Sequence, residues 1–193
     1  LNTDAFGTRS YIAIESFFTN GAVTRTTTYN DNDTRIDQTY SAGNVITDRL
    51  TTDISAGGTG KNYVVIDEDY AAGVKQLTRT IFDNGTQQVL GAAGSQVISG
   101  GVGNDALLGG AGADRFQFSA AGFGADTIFD FLDGTDLLDF TARGIDTRAE
   151  LEAAATVSQS GTNTSISFGS AGSISIRSFS AVNLTDADFW AIV

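Results

Sequence analysis

The sequence predicts an all-β fold in which an N-terminal antiparallel meander leads into a short, coiled parallel β structure, followed by a C-terminal β region with one short helix. Three patterns indicate this fold: turn residues between Thr-, Val- and Tyr-rich runs, a nine-residue Gly period, and alternating polar and apolar runs near the end. The composition agrees, because 19 Asp against 4 Glu, together with 23 Gly, favour turns over helices.

Residues 1–81 are predicted to form the meander. Asn20-Gly21 separates the strand-like runs 11–18 and 22–29, and Asn-Gly between two such runs is a strong signal for a β-hairpin. Further turn-like breaks occur at residues 30–33, 42–44, 56–60 and 71–73. The spacing of these breaks predicts six or seven short antiparallel strands.

Several functional classes are excluded by what the sequence lacks. It has no Cys and no His, which excludes disulfides, thiolate or imidazole zinc sites and His-dependent catalysis. Its net charge of −12 disfavours nucleic acids and anionic membranes as partners. No apolar run approaches the ~18 residues of a membrane span. The acidic run Asp67-Glu68-Asp69 is interpreted as a solvated strand end, and we expect the chain by itself not to be an enzyme.

The chain is also expected to be a fragment or a processed piece. Leu1 is not an initiator residue, and no basic-then-apolar signal peptide follows it.

From residue 82 the sequence repeats every nine residues, in the segments 82–90, 91–99, 100–108 and 109–117. The fourth position is Gly85, Gly94, Gly103 and Gly112, and the eighth is Val89, Ile98, Leu107 and Phe116. A fixed short period with Gly and one apolar residue predicts a coil of β-strands, in which each repeat adds a turn and one inward side chain.

The repeats 100–108 and 109–117 resemble a known calcium-binding β-coil repeat, and this resemblance implies a calcium site. Both match the pattern G-G-x-G-x-D-x-U-x at every specified position. Consecutive glycines let the backbone turn and aim carbonyl oxygens at one point, and calcium takes six to eight hard oxygen ligands. The predicted ligands from these turns are Gly100, Gly101, Gly103, Asp105, Gly109, Gly110, Gly112 and Asp114.

The coil also predicts which turns lie together. Because successive turns alternate sides, the turn 91–96 should stack on the turn 109–114, with Gln96 as a neutral ligand and a weaker site. The turn 100–105 should find its partner after residue 117, in residues 122–126.

These repeats resemble the RTX, or hemolysin-type calcium-binding repeat, family, which includes serralysin-type proteases. The stretch 126–140, with the pattern D-x-I-x-D-F-x-x-G-x-D-x-L-D-F, is similar to the segment that closes RTX rolls. The resemblance implies a calcium-binding β-roll over 82–140, with ligands of the last calcium among Asp126, Asp130, Asp133 and Asp136. In the alternative interpretation, these residues form turns and caps over an apolar face of Ile128, Phe131, Leu137 and Phe140.

Residues 141–193 are predicted to form a cap. Thr147-Arg148-Ala149-Glu150 is a capping box that opens a short helix through Ala155, with Leu151, Ala154 and Ala155 on one face. Ser165–Phe168 and Ser173–Ile176 alternate polar and apolar residues as hairpin strands. The region resembles the C-terminal part of RTX exports, which carries an uncleaved signal read by a type I (ABC-transporter) secretion system. Alternatively, the apolar end Leu184–Val193 is a strand docked in the core.

Three functions remain open from the sequence. The first is a calcium-dependent folding and export module of a secreted bacterial protein, located outside the cell or on its surface, with calcium ions and the type I secretion machinery as partners. The second is a structural subunit of a surface layer, adhesin or filament, in which residues 1–81 self-associate through exposed strands. The third is a carbohydrate-binding part of a polysaccharide-active enzyme. Its candidate residues are Tyr11, Tyr29, Tyr40 and Tyr63.

Overall fold

A computed structural model describes residues 11–30, 34–54 and 63–191. The chain forms two compact units, Leu1–Asn84 and Gly85–Val193. The predicted breaks at 31–33 and 56–60, the side chain of Tyr11 and the terminal Ile192 and Val193 lie outside what the structure describes. The all-β fold class is confirmed. The division into parts at 1–81, 82–140 and 141–193 stays a prediction.

The first unit contains a six-stranded antiparallel meander in which each strand pairs with the next along the chain. The strands are β1 (Tyr11–Thr19), β2 (Ala22–Asn30), β3 (Thr34–Ser41), β4 (Val45–Asp53), β5 (Tyr63–Ala71) and β6 (Val74–Phe82). The predicted hairpin joins β1 to β2, with positive φ angles at Asn20 (51°) and Gly21 (80°). A two-residue turn of this kind matches the twist of the two strands it connects.

The meander has few fully buried side chains. Among the described residues of this unit, only Thr27, Thr34 and Leu77 are buried, and most others are partly exposed. The described part of the unit is therefore a sheet that hides little apolar surface of its own.

The second unit is built around two parallel sheets. Its strands are β7 (Gln87–Gly91), β8 (Val97–Ile98), β9 (Ala106–Leu108), β10 (Arg115–Gln117), β11 (Gly124–Ile128), β12 (Leu137–Asp139), β13 (Thr156–Ser160), β14 (Asn163–Ser167) and β15 (Gly172–Ile176). One sheet contains β7, β9, β11 and β15 in parallel, with β14 and β13 added antiparallel, and the other contains β8, β10 and β12. The chain alternates between the sheets, which makes this unit a β-roll.

Two nine-residue repeats make one full coil of the roll. Gln88 pairs with Ala106 in one sheet and Val97 pairs with Arg115 in the other, so both registers advance by 18 residues. The eighth-position side chains point between the sheets, as the period predicts. Val89, Ile98, Leu107 and Phe116 are all 0% exposed. The inward apolar residues therefore form the core of the roll.

The C-terminal region contains the predicted helix and hairpin. The helix α1 (Arg148–Ala154) begins at the predicted capping box, in which Thr147 accepts from the Glu150 N–H and Glu150 accepts from the Thr147 N–H. Leu151 is buried as expected, but Ala154 is exposed because the helix ends there and the chain turns into β13. The strand β15 pairs antiparallel with β14 and also parallel with β11, which extends the roll beyond residue 140. No described helix is long and apolar enough to cross a membrane.

The segment before residue 191 is docked on the roll. Phe189 forms a parallel bridge with Leu138 in β12, and the Trp190 N–H donates to the Leu138 carbonyl at 2.9 Å. Leu184 and Phe189 are buried, whereas Trp190 is 38% exposed and stacks against the Arg115 guanidinium. This part of the chain is thus structural in the folded protein, as the docked-strand alternative proposed.

Replacement of a core side chain of the roll tests this packing. We expect Leu107→Ala to lower the free energy of unfolding by about 2–5 kcal/mol, because it leaves a cavity between the two sheets. The matched control Val102→Ala removes a side chain that is 66% exposed and should change stability by less than about 0.5 kcal/mol. Denaturant titrations of both variants in calcium buffer measure the difference. Equal losses would contradict the inward position of Leu107.

Candidate metal centre

The turns of the roll stack two repeats apart, as the sequence predicts. The turn 91–96 lies on the turn 109–114: Ala93 and Ala111 form a parallel bridge, and the Gly94 N–H donates to the Ala111 carbonyl at 2.6 Å. The approach is close enough that a Cβ on Gly112 would overlap the backbone of Gly94. Only glycine fits this contact, and its φ of 139° also disfavours other residues.

The turn 100–105 has neighbours on both sides. The Ala125 N–H donates to Asn104 Oδ1 at 2.8 Å, so residues 122–126 stack on this turn as predicted. The structure also places an earlier turn there, because the Gln87 N–H donates to Asp105 Oδ1 at 2.8 Å. The expectation that the partner had to follow residue 117 was therefore incomplete. The fourth-position glycine of the first, degenerate repeat was the sequence signal for the missed neighbour.

A ladder of carboxylates joins the stacked turns. In each step an Asp side chain accepts a hydrogen bond from the backbone N–H of the equivalent residue in the preceding turn on the same side. The four bonds run from Gln87 to Asp105 (2.8 Å), from Gln96 to Asp114 (2.8 Å), from Asp105 to Asp126 (2.9 Å) and from Asp114 to Asp136 (2.9 Å). Asp126 and Asp136 thus continue the sixth position of the repeat into the closing coil, although their spacing is longer than 18 residues.

Buried oxygen atoms without hydrogen-bond partners mark the same positions. Among the described residues, three buried side-chain oxygens have no partner: Gln96 Oε1, Asp105 Oδ2 and Asp114 Oδ2. All three belong to the sixth position of a nine-residue repeat. A buried oxygen without a partner is costly, and a carboxylate oxygen is more costly than an amide oxygen. Such oxygens are the ligands that a hard cation would satisfy.

The electrostatics of the ladder favour a bound cation. Burial raises the pKa of Asp105 and Asp114, against the hydrogen bonds that each accepts from a backbone N–H. Burial is also the main cause that raises the pKa of Asp136, and it raises that of Asp126 to about 7. Burial disfavours the charged form of each carboxyl, and a divalent cation beside these groups would favour it again.

Asp139 shows what a buried carboxylate looks like when the protein satisfies it. It is as buried as the ladder residues, and burial alone would raise its pKa. Hydrogen bonds from Thr141 and Gln117, together with the nearby charge of Arg115, nevertheless hold the pKa of Asp139 below its usual value. Each of its two oxygens has a partner. Asp139 is thus a structural carboxylate. The ladder carboxylates differ from it, because none of them forms an ion pair with a described Arg or Lys side chain.

The glycines of the two matching repeats make room for this arrangement. A Cβ on Gly100 would lie 2.7 Å from the Cβ of Asp105, and one on Gly109 would lie 2.6 Å from Asp114 Oδ2. The glycines at the second and fourth repeat positions have positive φ angles, namely Gly101 (85°), Gly103 (118°), Gly110 (87°) and Gly112 (139°). The first glycine is therefore required by the folded-back Asp, and the others by the turn of the backbone.

In the closing segment, the candidate ligand oxygens already accept hydrogen bonds from backbone N–H groups. Asp130 accepts from the Gly109 and Gly110 N–H groups, one with each oxygen, both at 2.9 Å. The second oxygen of Asp136 accepts from the Leu132 N–H at 2.8 Å. Asp133 is exposed. Asp130 and Asp136 act here as caps of the turns, as the alternative interpretation proposed, and a ligand role for both stays a prediction.

The meander holds a second acidic group that the sequence did not reveal in full. The carboxylate oxygens of Asp48, Asp67 and Asp69 lie within 4.8 Å of one another. The interpretation of residues 67–69 as a solvated strand end is wrong, because they lie inside β5 and Asp67 is partly buried. Only the pairing of β4 with β5 brings Asp48 opposite Asp69. Burial and the charge and hydrogen bond of Asp48 raise the pKa of Asp67. Glu68 lies on the opposite face and pairs with Lys75 at 3.1 Å.

Among the candidate carbohydrate-binding tyrosines, Tyr29 and Tyr40 do not lie together. Tyr29 pairs with Arg35, five residues before Tyr40 on the same strand, so Tyr29 and Tyr40 lie on opposite faces of the sheet. The Tyr40 hydroxyl is 3.3 Å from the hydroxyl of Thr26 in the neighbouring strand β2. Tyr63 lies at the start of β5, where burial raises its pKa.

Comparison with known proteins gives structural similarities without a family match. No protein-family model matches the sequence, and a search of curated proteins finds no similar sequence. One similar solved structure is the AlgE6R3 subunit of the mannuronan C5-epimerase of Azotobacter vinelandii, at 27% identity over 54% of this chain and 72% of that chain, with a TM-score of 0.38. Another is the extracellular lipase LipA of Serratia marcescens, at 18% identity over 88% of this chain and 31% of the lipase, with a TM-score of 0.35.

Because both TM-scores are low, the site is interpreted from its own geometry. The fold and the site define an all-β chain with a two-sheet parallel roll. Its stacked turns present buried carboxylate and amide oxygens at a fixed repeat position. This donor set is all oxygen and lies in glycine turns, which fits calcium better than a transition metal.

Substitution of the sixth-position residues tests the assignment. We expect Asp105→Asn and Asp114→Asn each to weaken calcium binding by about tenfold or more, because each removes a charged ligand while keeping an oxygen for the ladder bond. Gln96→Ala should weaken calcium binding less than either Asp variant, since it removes a neutral oxygen ligand. Isothermal titration with calcium measures the three affinities. Equal losses in all three variants would contradict the proposed difference between the sites.

The reverse substitution sharpens this test. Gln96→Asp should tighten the site between turns 91–96 and 109–114 when calcium is present, and destabilise the roll in chelator, because it places a second carboxylate near Asp114. The calcium-induced rise in melting temperature should therefore be larger than in the wild type. A smaller rise would count against a cation between these turns.

Proposed function

We propose that the second unit, Gly85–Val193, is a calcium-binding β-roll that completes its folding when calcium binds between the stacked turns. The proposal rests on one observation: the buried oxygens without partners fall at the sixth position of the repeats. Asp105, Asp114 and Gln96 would hold the ions together with carbonyl oxygens of the glycine turns. Asp126 and Asp136 occupy equivalent positions of the ladder in the next coil.

Calcium would act on the folding equilibrium. Without a cation, the carboxylates of Asp105 and Asp114 lose solvation on burial, and one oxygen of each accepts a backbone hydrogen bond while the other has no partner. Calcium supplies the missing charge, and an ion that binds only the folded state adds its binding free energy to stability. A roll of this kind would be loosely folded where calcium is scarce and fully folded where it is abundant.

This behaviour suits a protein that is exported before it folds. Together with the resemblance to RTX proteins, it supports a role as the calcium-dependent folding and export module of a secreted bacterial protein, and a location outside the cell. Within this proposal the chain itself is not an enzyme, and an export signal for a type I transporter lies in Leu184–Val193.

Removal of calcium is the direct test of the folding role. We expect a chelator to lower the melting temperature and to increase hydrogen exchange in residues 87–139, since binding at about 100 times the dissociation constant adds about 2.7 kcal/mol. Magnesium at the same concentration should restore little, because it requires a small octahedral site. Circular dichroism melts and hydrogen exchange provide the readouts. Identical melting curves with chelator and with calcium would refute the proposal.

The export role needs a separate experiment, because the terminal segment is also structural. Deletion of Leu184–Val193 should abolish secretion by a type I transporter, but it also removes the buried side chains of Leu184 and Phe189. Leu107→Ala provides the matched control, since it destabilises the roll and leaves the terminus intact. If the terminus is the signal, this control is still exported. Loss of export in both chains would show that secretion depends on folding rather than on the terminal segment.

A further inference from the structure

The first strand of the meander is an open sheet edge among the described residues. The strand β1 pairs with β2 on one side, and no described strand pairs with its other side. Its nine residues include no Lys, Arg or Pro, which proteins commonly use to block unwanted pairing at an edge. The edge also presents apolar side chains, since Ile14 is 51% and Phe18 62% exposed.

Two exposed charged side chains lie at this edge, Glu15 in β1 and Arg25 in the neighbouring strand β2. Glu15 and Arg25 form no ion pair with any described residue. Arg25 in β2 is paired with Phe17 in β1, and its guanidinium lies 4.1 Å from the centre of the Phe17 ring. Glu15, Phe17 and Arg25 therefore share one face of the sheet, with the positive charge held over the edge strand.

We propose that the edge β1 pairs antiparallel with β1 of a second copy of the chain, with Ser16 on the two-fold axis. In this register Ile14 lies opposite Phe18 of the second copy, and Phe17 lies opposite Glu15 of the second copy. The incoming Glu15 would stand next to the Phe17 ring over which the Arg25 guanidinium lies. By symmetry the interface contains two such apolar pairs and two such ion pairs, formed by charged groups that have no ion pair with any described residue of the single chain.

Neighbouring registers are less favourable. An axis at Glu15 brings two negative charges directly opposite each other. An axis at Phe17 sets Ile14 opposite Asn20 and Phe18 opposite Ser16, so neither apolar side chain meets another. An axis at Phe17 pairs only the two Phe17 rings. Among these three registers, only the axis at Ser16 pairs Ile14 with Phe18, the two most exposed of the described apolar side chains of β1, and places Glu15 next to the Phe17 that Arg25 contacts. The association goes beyond the calcium role and does not depend on it, because all of its residues lie in the first unit.

Charge exchange tests the interface. The dimer constant is measured by sedimentation equilibrium on the full chain in calcium buffer at about 0.15 M salt, where screening reduces repulsion between the acidic copies. Glu15→Arg and Arg25→Glu should each weaken self-association by about tenfold, because each creates two like-charge contacts. An equimolar mixture of the two variants should associate again, since both mixed contacts are then attractive. The exposed Val74→Lys serves as a control and should change nothing.

A cysteine experiment fixes the register. The chain has no Cys, so a single Ser16→Cys substitution has one route to a disulfide. Residues on the axis lie about 4.5–5.5 Å apart between Cα atoms, which a disulfide can span. Ile14→Cys is the matched control, because the two positions would be about 13 Å apart along the strands. Ser16→Cys should cross-link under mild oxidation and Ile14→Cys should not.

Three outcomes would overturn the proposal. The first is a wild-type chain that stays monomeric at every concentration tested. The second is a dimer that neither charge variant weakens, which would place the contact elsewhere. The third is cross-linking of Ile14→Cys at least as fast as Ser16→Cys, which would exclude this register.

Discussion

The roll depends on one repeated interaction, the hydrogen bond between a backbone N–H and the side-chain carboxylate of the equivalent residue one coil later. Four such bonds, between 2.8 and 2.9 Å, join the successive turns. They align the stacked turns, but they also bury a row of carboxylates that the protein satisfies only in part. The same interaction that orders the turns therefore creates the need for a cation.

The two units of the chain handle charge in different ways. In the meander, acidic groups are partly exposed and several are paired with Arg or Lys across strands, as Glu68 is with Lys75. In the roll, the ladder carboxylates are buried and form no ion pair with a described Arg or Lys. Asp139, which is outside the ladder, is held by Arg115 and by hydrogen bonds from Thr141 and Gln117. Under the proposed function, a cation between the turns would stabilise the roll, whereas exposed ion pairs contribute little to stability.

The C-terminal segment is structural in the folded chain and is also where the export signal is proposed to lie. Phe189 and Leu184 are buried against the roll, and the buried Asp188 accepts from Thr185 N–H at 2.7 Å. A segment that packs in this way when folded is free to be recognised by a transporter while the roll is still unfolded. The two proposed roles therefore follow one another in time and do not compete.

The sequence by itself determined the repeat. The period of nine fixed the inward positions of Val89 and Phe116 and the turn glycines, because a short regular coil allows only one place for each residue type. Only the tertiary structure shows which residues meet where the spacing departs from the repeat or lies outside it. The closing coil departs from the spacing of 18, so only stacking shows that Asp126 and Asp136 continue the ladder. Likewise, strand pairing places Asp48 opposite Asp69 and leaves Glu15 and Arg25 without an ion pair to any described residue, because it joins residues whose separation in sequence carries no signal.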